Sequence, residues 1–325
     1  MINQNTAMIM WIGLFIGALT IVIKSADFFV AGAASTARRL GMSAFVVGLT
    51  IVAIGTSAPE VTVNTIAAFQ GNTSLSIGNI IGSNIVNILL GLGVAALFVP
   101  LTIKKQTVWK ELPFMLLAAL MVLVLGADTF FGTTVSQNVV GRSDGLVLLS
   151  FFAIFLVYVF GLGKPEGEEE DIAVLPWWQS LALIGAGLTG LVVGGKFAVQ
   201  AAVEIAHLLH LSENLIGLTI VAIGTSLPEI VTSVTAVRKG HIDMAVGGIV
   251  GSSIFNIFFA LGLTALVANL PFTAANIFDA FVLAAVTVVL FVSMFLGRRH
   301  TLERWQGALF VGMYGAYIIF AILRG

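Results

Sequence analysis

The chain has 325 residues, of which 58% are hydrophobic and only 10% charged, and its mean hydropathy is +1.07. Soluble domains carry about 25% charged residues, so an ordinary soluble globule is excluded and the bilayer becomes the solvent. With 15 basic against 16 acidic side chains and no cysteine, the composition implies no nucleic-acid partner, no disulfide framework and no cysteine metal site.

A helix needs about 20 apolar residues to cross the hydrocarbon core. Tracts of that kind run, in chain order, over 8–36, 43–69, 74–99, 107–126, 144–162, 177–206, 212–237, 242–268, 275–297 and 303–323. They are continuously apolar, whereas barrel strands alternate in polarity over segments of about 10 residues. The expected fold is therefore an all-α membrane protein with ten transmembrane helices. The start, MINQNTAMIM, lacks the basic n-region of a signal peptide, so the first tract is expected to be a retained helix.

Between the fifth and sixth tracts lies the clearest break in composition, GLGKPEGEEEDIAVLP, with Pro165, Pro176 and an acidic run over 166–171. It divides the chain into an N-terminal five-helix repeat (1–161), an acidic cytosolic linker (162–176) and a C-terminal five-helix repeat (177–325). Placing the N-terminus outside puts Arg38, Arg39, Lys104, Lys105, Lys110, Lys164, Arg238, Lys239, Arg298, Arg299 and Arg304 in the cytosol, leaving Arg142 and Arg324 outside. The positive-inside rule selects that orientation, with both termini extracytoplasmic. Within the first tract, Lys24 precedes Asp27 by three residues, a spacing that predicts a local structural ion pair.

A shift of 169 residues aligns GLTIVAIGTSAPE (48–60) with GLTIVAIGTSLPE (217–229), the one difference being Ala58 against Leu227. The same shift aligns GNIIGSNIVNILLGLG (78–93) with GGIVGSSIFNIFFALG (247–262). Each half carries five spans, so the second copy enters the membrane from the opposite side. Such inverted repeats hold their substrate sites near the midplane, at the repeat interface.

The duplicated segments fall in helices 2, 3, 7 and 8, which are expected to be broken. Proline removes a backbone donor and clashes with the preceding turn, so Pro59 and Pro228 are expected to interrupt helices 2 and 7. Carbonyls freed at Ala53, Thr56, Ala222 and Thr225 could then face cations. A carboxylate at the bilayer centre costs about 2.5 to 3.5 kcal/mol on insertion scales and marks function, which singles out Glu60 and Glu229. Helical spacing adds the hydroxyls of Thr56, Ser57, Thr225 and Ser226 to the same faces. Helices 3 and 8 add Ser83, Asn87, Ser252 and Asn256. Oxygen ligands alone suit calcium rather than transition metals, and two carboxylates balance one divalent cation. Gly82, Gly91, Gly93, Gly251 and Gly262 are expected to serve helix packing.

At these residues the chain resembles the sodium/calcium exchanger family of the cation/calcium antiporter superfamily, in its prokaryotic ten-helix type. That family's repeats carry the GTSxPE and GSxxxN elements seen here over both halves. The resemblance implies calcium bound by Glu60 and Glu229 with the backbones of Thr56 and Thr225. It also implies flanking sodium sites at Ala53, Ser57, Ser83, Ala222, Ser226 and Ser252, and helices 1 and 6 that move against the other eight. Proton/calcium relatives carry GNATE-like elements instead of GTSAPE and GTSLPE, which disfavours proton coupling. Potassium-dependent relatives have aspartate at the position of Asn256, so potassium independence follows.

The expected function is a secondary active, electrogenic sodium/calcium antiporter of the plasma membrane, not an enzyme. No cofactor and no obligate protein partner are implied; calcium, sodium and the lipid bilayer are. A proton/calcium or broader divalent-cation antiporter is the alternative, and a cation channel or ion sensor the rival from another class.

Overall fold

The computed structural model describes residues 4–71, 73–129, 138–161, 174–209 and 222–324. The helices in chain order are α1 (Thr6–Leu40), α2 (Ala44–Phe69), α3 (Ser76–Phe98), α4 (Lys105–Gly126), α5 (Arg142–Phe160), α6 (Trp177–Leu208), α8 (Ile242–Val267), α9 (Ala274–Ser293) and α10 (Arg304–Arg324). Two shorter helices lie between α6 and α8, namely α7a (Ala222–Thr225) and α7b (Leu227–Arg238). Apart from α7a and α7b, each of these helices is long and apolar enough to cross a membrane, nine among the described residues. The acidic run of the linker and the first half of predicted helix 7 lie outside the described residues.

The duplication seen in the sequence is repeated in the backbone. α3 widens into a π-helical segment at Asn87–Leu92 and α8 does so at Asn256–Leu261, the same 169-residue shift at both ends. A third π segment occupies Gly48–Val52 in α2. The interruptions expected in helices 2, 3 and 8 thus take the form of π turns, which appear at functional sites because they displace backbone groups without ending the helix. In α2 the position differs from expectation. Pro59 lies inside a helix continuous from Ala53 to Phe69, where the missing donor leaves only the Gly55 carbonyl without its intrahelical partner. In helix 7 the break falls at Ser226, whose φ of −91° and ψ of 6° put it in the bridge region between helix and strand. Pro228 follows in the first turn of α7b, where a proline costs no hydrogen bond.

Two short antiparallel ribbons tie the helix ends together. β1 (Leu101–Thr102) pairs with β4 (Thr301–Leu302), and β2 (Val139–Val140) pairs with β3 (Leu270–Pro271). Lys104 also reaches Asp243 at 2.6 Å. Loops assigned to one membrane face by their basic residues are therefore joined to loops of that face.

α1 and α6 pack along each other through small residues. The Gly32 position abuts the Ser180 carbonyl, Gly187 abuts Phe29, Gly190 abuts Ser25 and Gly194 abuts Val22, and the Ser35 and Ser180 hydroxyls meet at 2.8 Å. Small residues let the two backbones approach, which is how helices associate where no hydrophobic force separates protein from lipid. Both outer flanks of this pair are exposed, with Ile16, Ile23, Phe28, Val192, Val193 and Phe197 turned outward.

Asp27 corrects one sequence expectation. Its carboxylate partner is Lys239 at the end of α7b, at 3.2 Å, and Lys239 also donates to the Asp27 carbonyl at 2.8 Å. Spacing along α1 favours Lys24, but the chain-distant Lys239 comes to the same carboxylate in the fold. Both groups are about one-third exposed (37% and 34%), so the pair is worth about 1 kcal/mol or less. A double-mutant cycle on Asp27→Asn and Lys239→Met, read by thermal unfolding in detergent, is expected to return a coupling of that size, with none between Asp27→Asn and Lys24→Met.

Candidate functional site

Glu60 and Glu229 are each 2% exposed, on α2 and α7b, and they lie within range of each other's charge. The Glu229 carboxylate is partly satisfied. Ser57 donates to its Oε1 at 3.1 Å, and the Thr56 hydroxyl borders it. Among the described residues its Oε2 has no partner, and neither oxygen of Glu60 has one. Leaving an ionised carboxylate buried and unpaired costs several kcal/mol.

The neutral oxygens follow the same pattern. Asn87 and Asn256 are fully buried, and neither amide has a hydrogen-bond partner. Both stand at the first residue of a π segment, where the widened turn shifts the helix face that follows. Ser83 Oγ and Ser226 Oγ are buried and unpartnered too. A buried polar group without a partner normally costs about 1 to 3 kcal/mol, and native cores contain few of them. Together with Glu60, these groups lie on α2, α3, α8 and at the break between α7a and α7b.

Other predicted groups are held by the protein. Thr56 Oγ1 donates to the Val52 carbonyl at 3.0 Å and lies 3.5 Å from Ser252 Oγ. Ser252 donates to the Ala53 carbonyl at 3.4 Å. That carbonyl follows directly on the π segment of α2. Thr225 is half-buried at the end of α7a, and Ala222 opens that helix, its side chain outside the described residues. The symmetry is incomplete: Ser57 bonds Glu229, whereas Ser226 makes no matching bond to Glu60.

Glycine brings α2 and α8 together. A Cβ at Gly48 of α2 would lie 2.5 Å from the Met244 carbonyl of α8, one at Gly247 2.5 Å from the Phe45 carbonyl, and one at Gly251 2.7 Å from the Leu49 carbonyl. Gly93 and Gly262, at the ends of the π segments, meet Gly307 and Gly145 in the same fashion.

Sequence reasoning left out several buried polar groups on these helices. Asn64 is 1% exposed, Thr232 1%, Asn84 0% and Ser253 1%, and each keeps at least one unpartnered polar atom. The available signal was spacing, since Asn64 follows Glu60 by four residues and Thr232 follows Glu229 by three.

The profile of the family described as sodium/calcium exchanger protein matches residues 10–161 and 179–323. This chain belongs to the sodium/calcium exchanger family. Among its relatives, a putative antiporter, CaxA, of Alkalimonas amylolytica is 37% identical over 92% of this chain and 94% of its own length. The sodium/calcium exchanger MaX1 of Methanosarcina acetivorans is 30% identical over 93% and 95%. The solved structure of the sodium-calcium exchanger NCX_Mj soaked with 10 mM sodium and no calcium superposes with a TM-score of 0.81, at 34% identity, over 96% of this chain and 99% of that one. The exchanger-family protein is thus an integral membrane antiporter of the cation/calcium class and not an enzyme.

Proposed function

We propose that this protein exchanges sodium for calcium by alternating access, with both ions competing for the Glu60/Glu229 pocket. The observation that carries the proposal is the pair of buried carboxylates in range of each other, three of whose four oxygens have no partner among the described residues. Calcium takes six to eight oxygens in flexible geometry. Glu60, Glu229 and the backbones of Thr56 and Thr225 are its proposed ligands. Ala53, Ser57, Ser83, Ala222, Ser226 and Ser252 are the proposed flanking sodium positions, and Asn87 and Asn256 close the pocket with neutral amides. A neutral Asn256 keeps the carboxylate count at two, which supports independence from potassium. The glycine-lined α1/α6 pair, exposed along its flanks, is the proposed moving element.

The matching halves, 1–161 and 177–325, are proposed as the two inverted repeats, joined by the 162–176 linker in the cytosol. The distribution of basic residues among the loops supports an orientation with both termini outside the plasma membrane. The proposed cycle implies no obligate protein partner.

Sodium-loaded vesicles containing the purified protein should take up calcium on dilution into sodium-free medium, equally well with choline or potassium outside. If sodium charge exceeds calcium charge per cycle, an inside-positive potential will accelerate that uptake, because net positive charge leaves with sodium. Uptake driven by a pH gradient alone, and not by sodium, would establish the proton-coupled alternative. Ohmic current without saturable countertransport would establish a channel.

A further inference from the structure

Asn64 and Asn79 face each other across α2 and α3. The Asn79 amide donates to Asn64 Oδ1 at 3.0 Å, and the Ser76 hydroxyl donates to the Asn64 carbonyl at 3.0 Å. These bonds set the register of the antiparallel pair. Glu60 lies one turn back along α2 from Asn64, and Ser83 lies one turn on along α3 from Asn79. Four residues at 1.5 Å per residue put the Glu60/Ser83 level about 6 Å deeper than the amide pair. The amide pair therefore stands between the Glu60 carboxylate and the α2–α3 turn.

The Asn64 side chain is buried and its Nδ2 has no partner. An asparagine amide carries a carbonyl on one side and a donor on the other. If both amides turn by 180°, Asn64 Nδ2 donates to Asn79 Oδ1, the clasp survives, and a carbonyl oxygen takes the unpartnered position. Nothing equivalent exists in the second half. The 169-residue shift carries Asn64, Ser76 and Asn79 to Ser233, Ala245 and Gly248, and Gly248 is backed by Val52. Among the described residues, the amide clasp thus stands on the α2–α3 side of the Glu60 level and has no counterpart at the symmetry-related position.

We propose that Asn64 is a staging ligand, a neutral carbonyl that receives a partly dehydrated hard cation before Glu60 does. A neutral oxygen binds weakly enough to release the ion inward, which conduction through successive sites requires. The inference rests on the exchange reading above. It adds a sidedness which that reading does not contain.

The test uses the full-length protein in vesicles, with labelled calcium or sodium applied to one face at a time. Orientation can be reported by an impermeant thiol reagent acting on a cysteine placed at exposed Gln70, since the chain has no cysteine of its own. Asn64→Leu is expected to raise KM for calcium about tenfold when it is offered on the α2–α3 face and to leave KM on the other face and the maximal rate unchanged. Calcium and sodium must shift together on that face, because a variant cannot alter the equilibrium constant of exchange. Asn64→Asp, which keeps an oxygen there and adds a charge, should bring KM on that face below the wild-type value. Ser233→Ala should produce no one-sided shift.

Equal KM changes on both faces, or none, would overturn the staging role. Should Asn64→Leu fail to fold, Asn64→Asp decides alone, and an unchanged KM on the α2–α3 face overturns the proposal. A wild-type protein without calcium flux would instead defeat the exchange reading.

Discussion

Glu60→Gln or Glu229→Gln is expected to abolish calcium exchange while the protein still folds and inserts. Two unit charges 4 Å apart interact by about 4 kcal/mol at an effective dielectric of 20, and a divalent ion doubles that. Even half of the single-charge figure is worth more than tenfold in affinity, and the full figure about a thousandfold. Folding should not suffer, because glutamine matches glutamate in shape and removes a buried charge that has no counter-ion of its own. The two substitutions should differ in stability. Glu229 accepts from Ser57, so its replacement loses part of a charge-assisted hydrogen bond worth about 1.5 to 3 kcal/mol, whereas Glu60 has no hydrogen bond to lose. Calcium binding by titration calorimetry and thermal unfolding in detergent would separate the two effects. A double variant that still exchanged calcium would remove both glutamates from the site.

Gly247→Val and Gly251→Val are expected to be the most damaging substitutions away from the carboxylates. Each would drive a side chain into main-chain atoms of α2, the Phe45 carbonyl at 2.5 Å in one case and the Leu49 carbonyl at 2.7 Å in the other. Backbone cannot turn aside as a side-chain tip can, so the cost should reach or pass the upper end of the 1 to 3 kcal/mol usual for overpacking. At Gly251 the new side chain would also press on Ala53 Cβ at 2.8 Å, next to the carbonyl that holds Ser252. Lost monodisperse yield, or a sharply lowered unfolding temperature, is the expected result. Gly312→Ala provides the comparison, since a Cβ there meets nothing within 4 Å, and the protein should tolerate it. Wild-type behaviour of Gly251→Val would mean that α2 and α8 do not pack as closely as described.

The two glutamates could be read from the chain because three independent signals agree on them. They are acids in apolar tracts, they follow Gly-Thr-Ser, and they recur at one fixed shift. Asn64 carries none of the recurrence, since its counterpart is Ser233, and so repeat comparison passes over it. Asp27 misled for a different reason. Spacing along a helix identifies neighbours on that helix only, and Lys239 approaches from another one. Pro59 shows the limit of a local rule. Its ring removes one hydrogen bond, yet α2 continues through it as a helix from Ala53 to Phe69.

The sequence by itself determined that the chain lives in a membrane, that its halves are duplicated, and that two carboxylates lie in the duplicated segments. Those properties follow from hydropathy, charge placement and repetition, which are written residue by residue. Only the tertiary structure decided which oxygens are left without partners, since that depends on what reaches each group from other helices. Ser57 serves Glu229 across the repeat interface while both oxygens of Glu60 remain unpaired, and no property of a single segment separates those two outcomes.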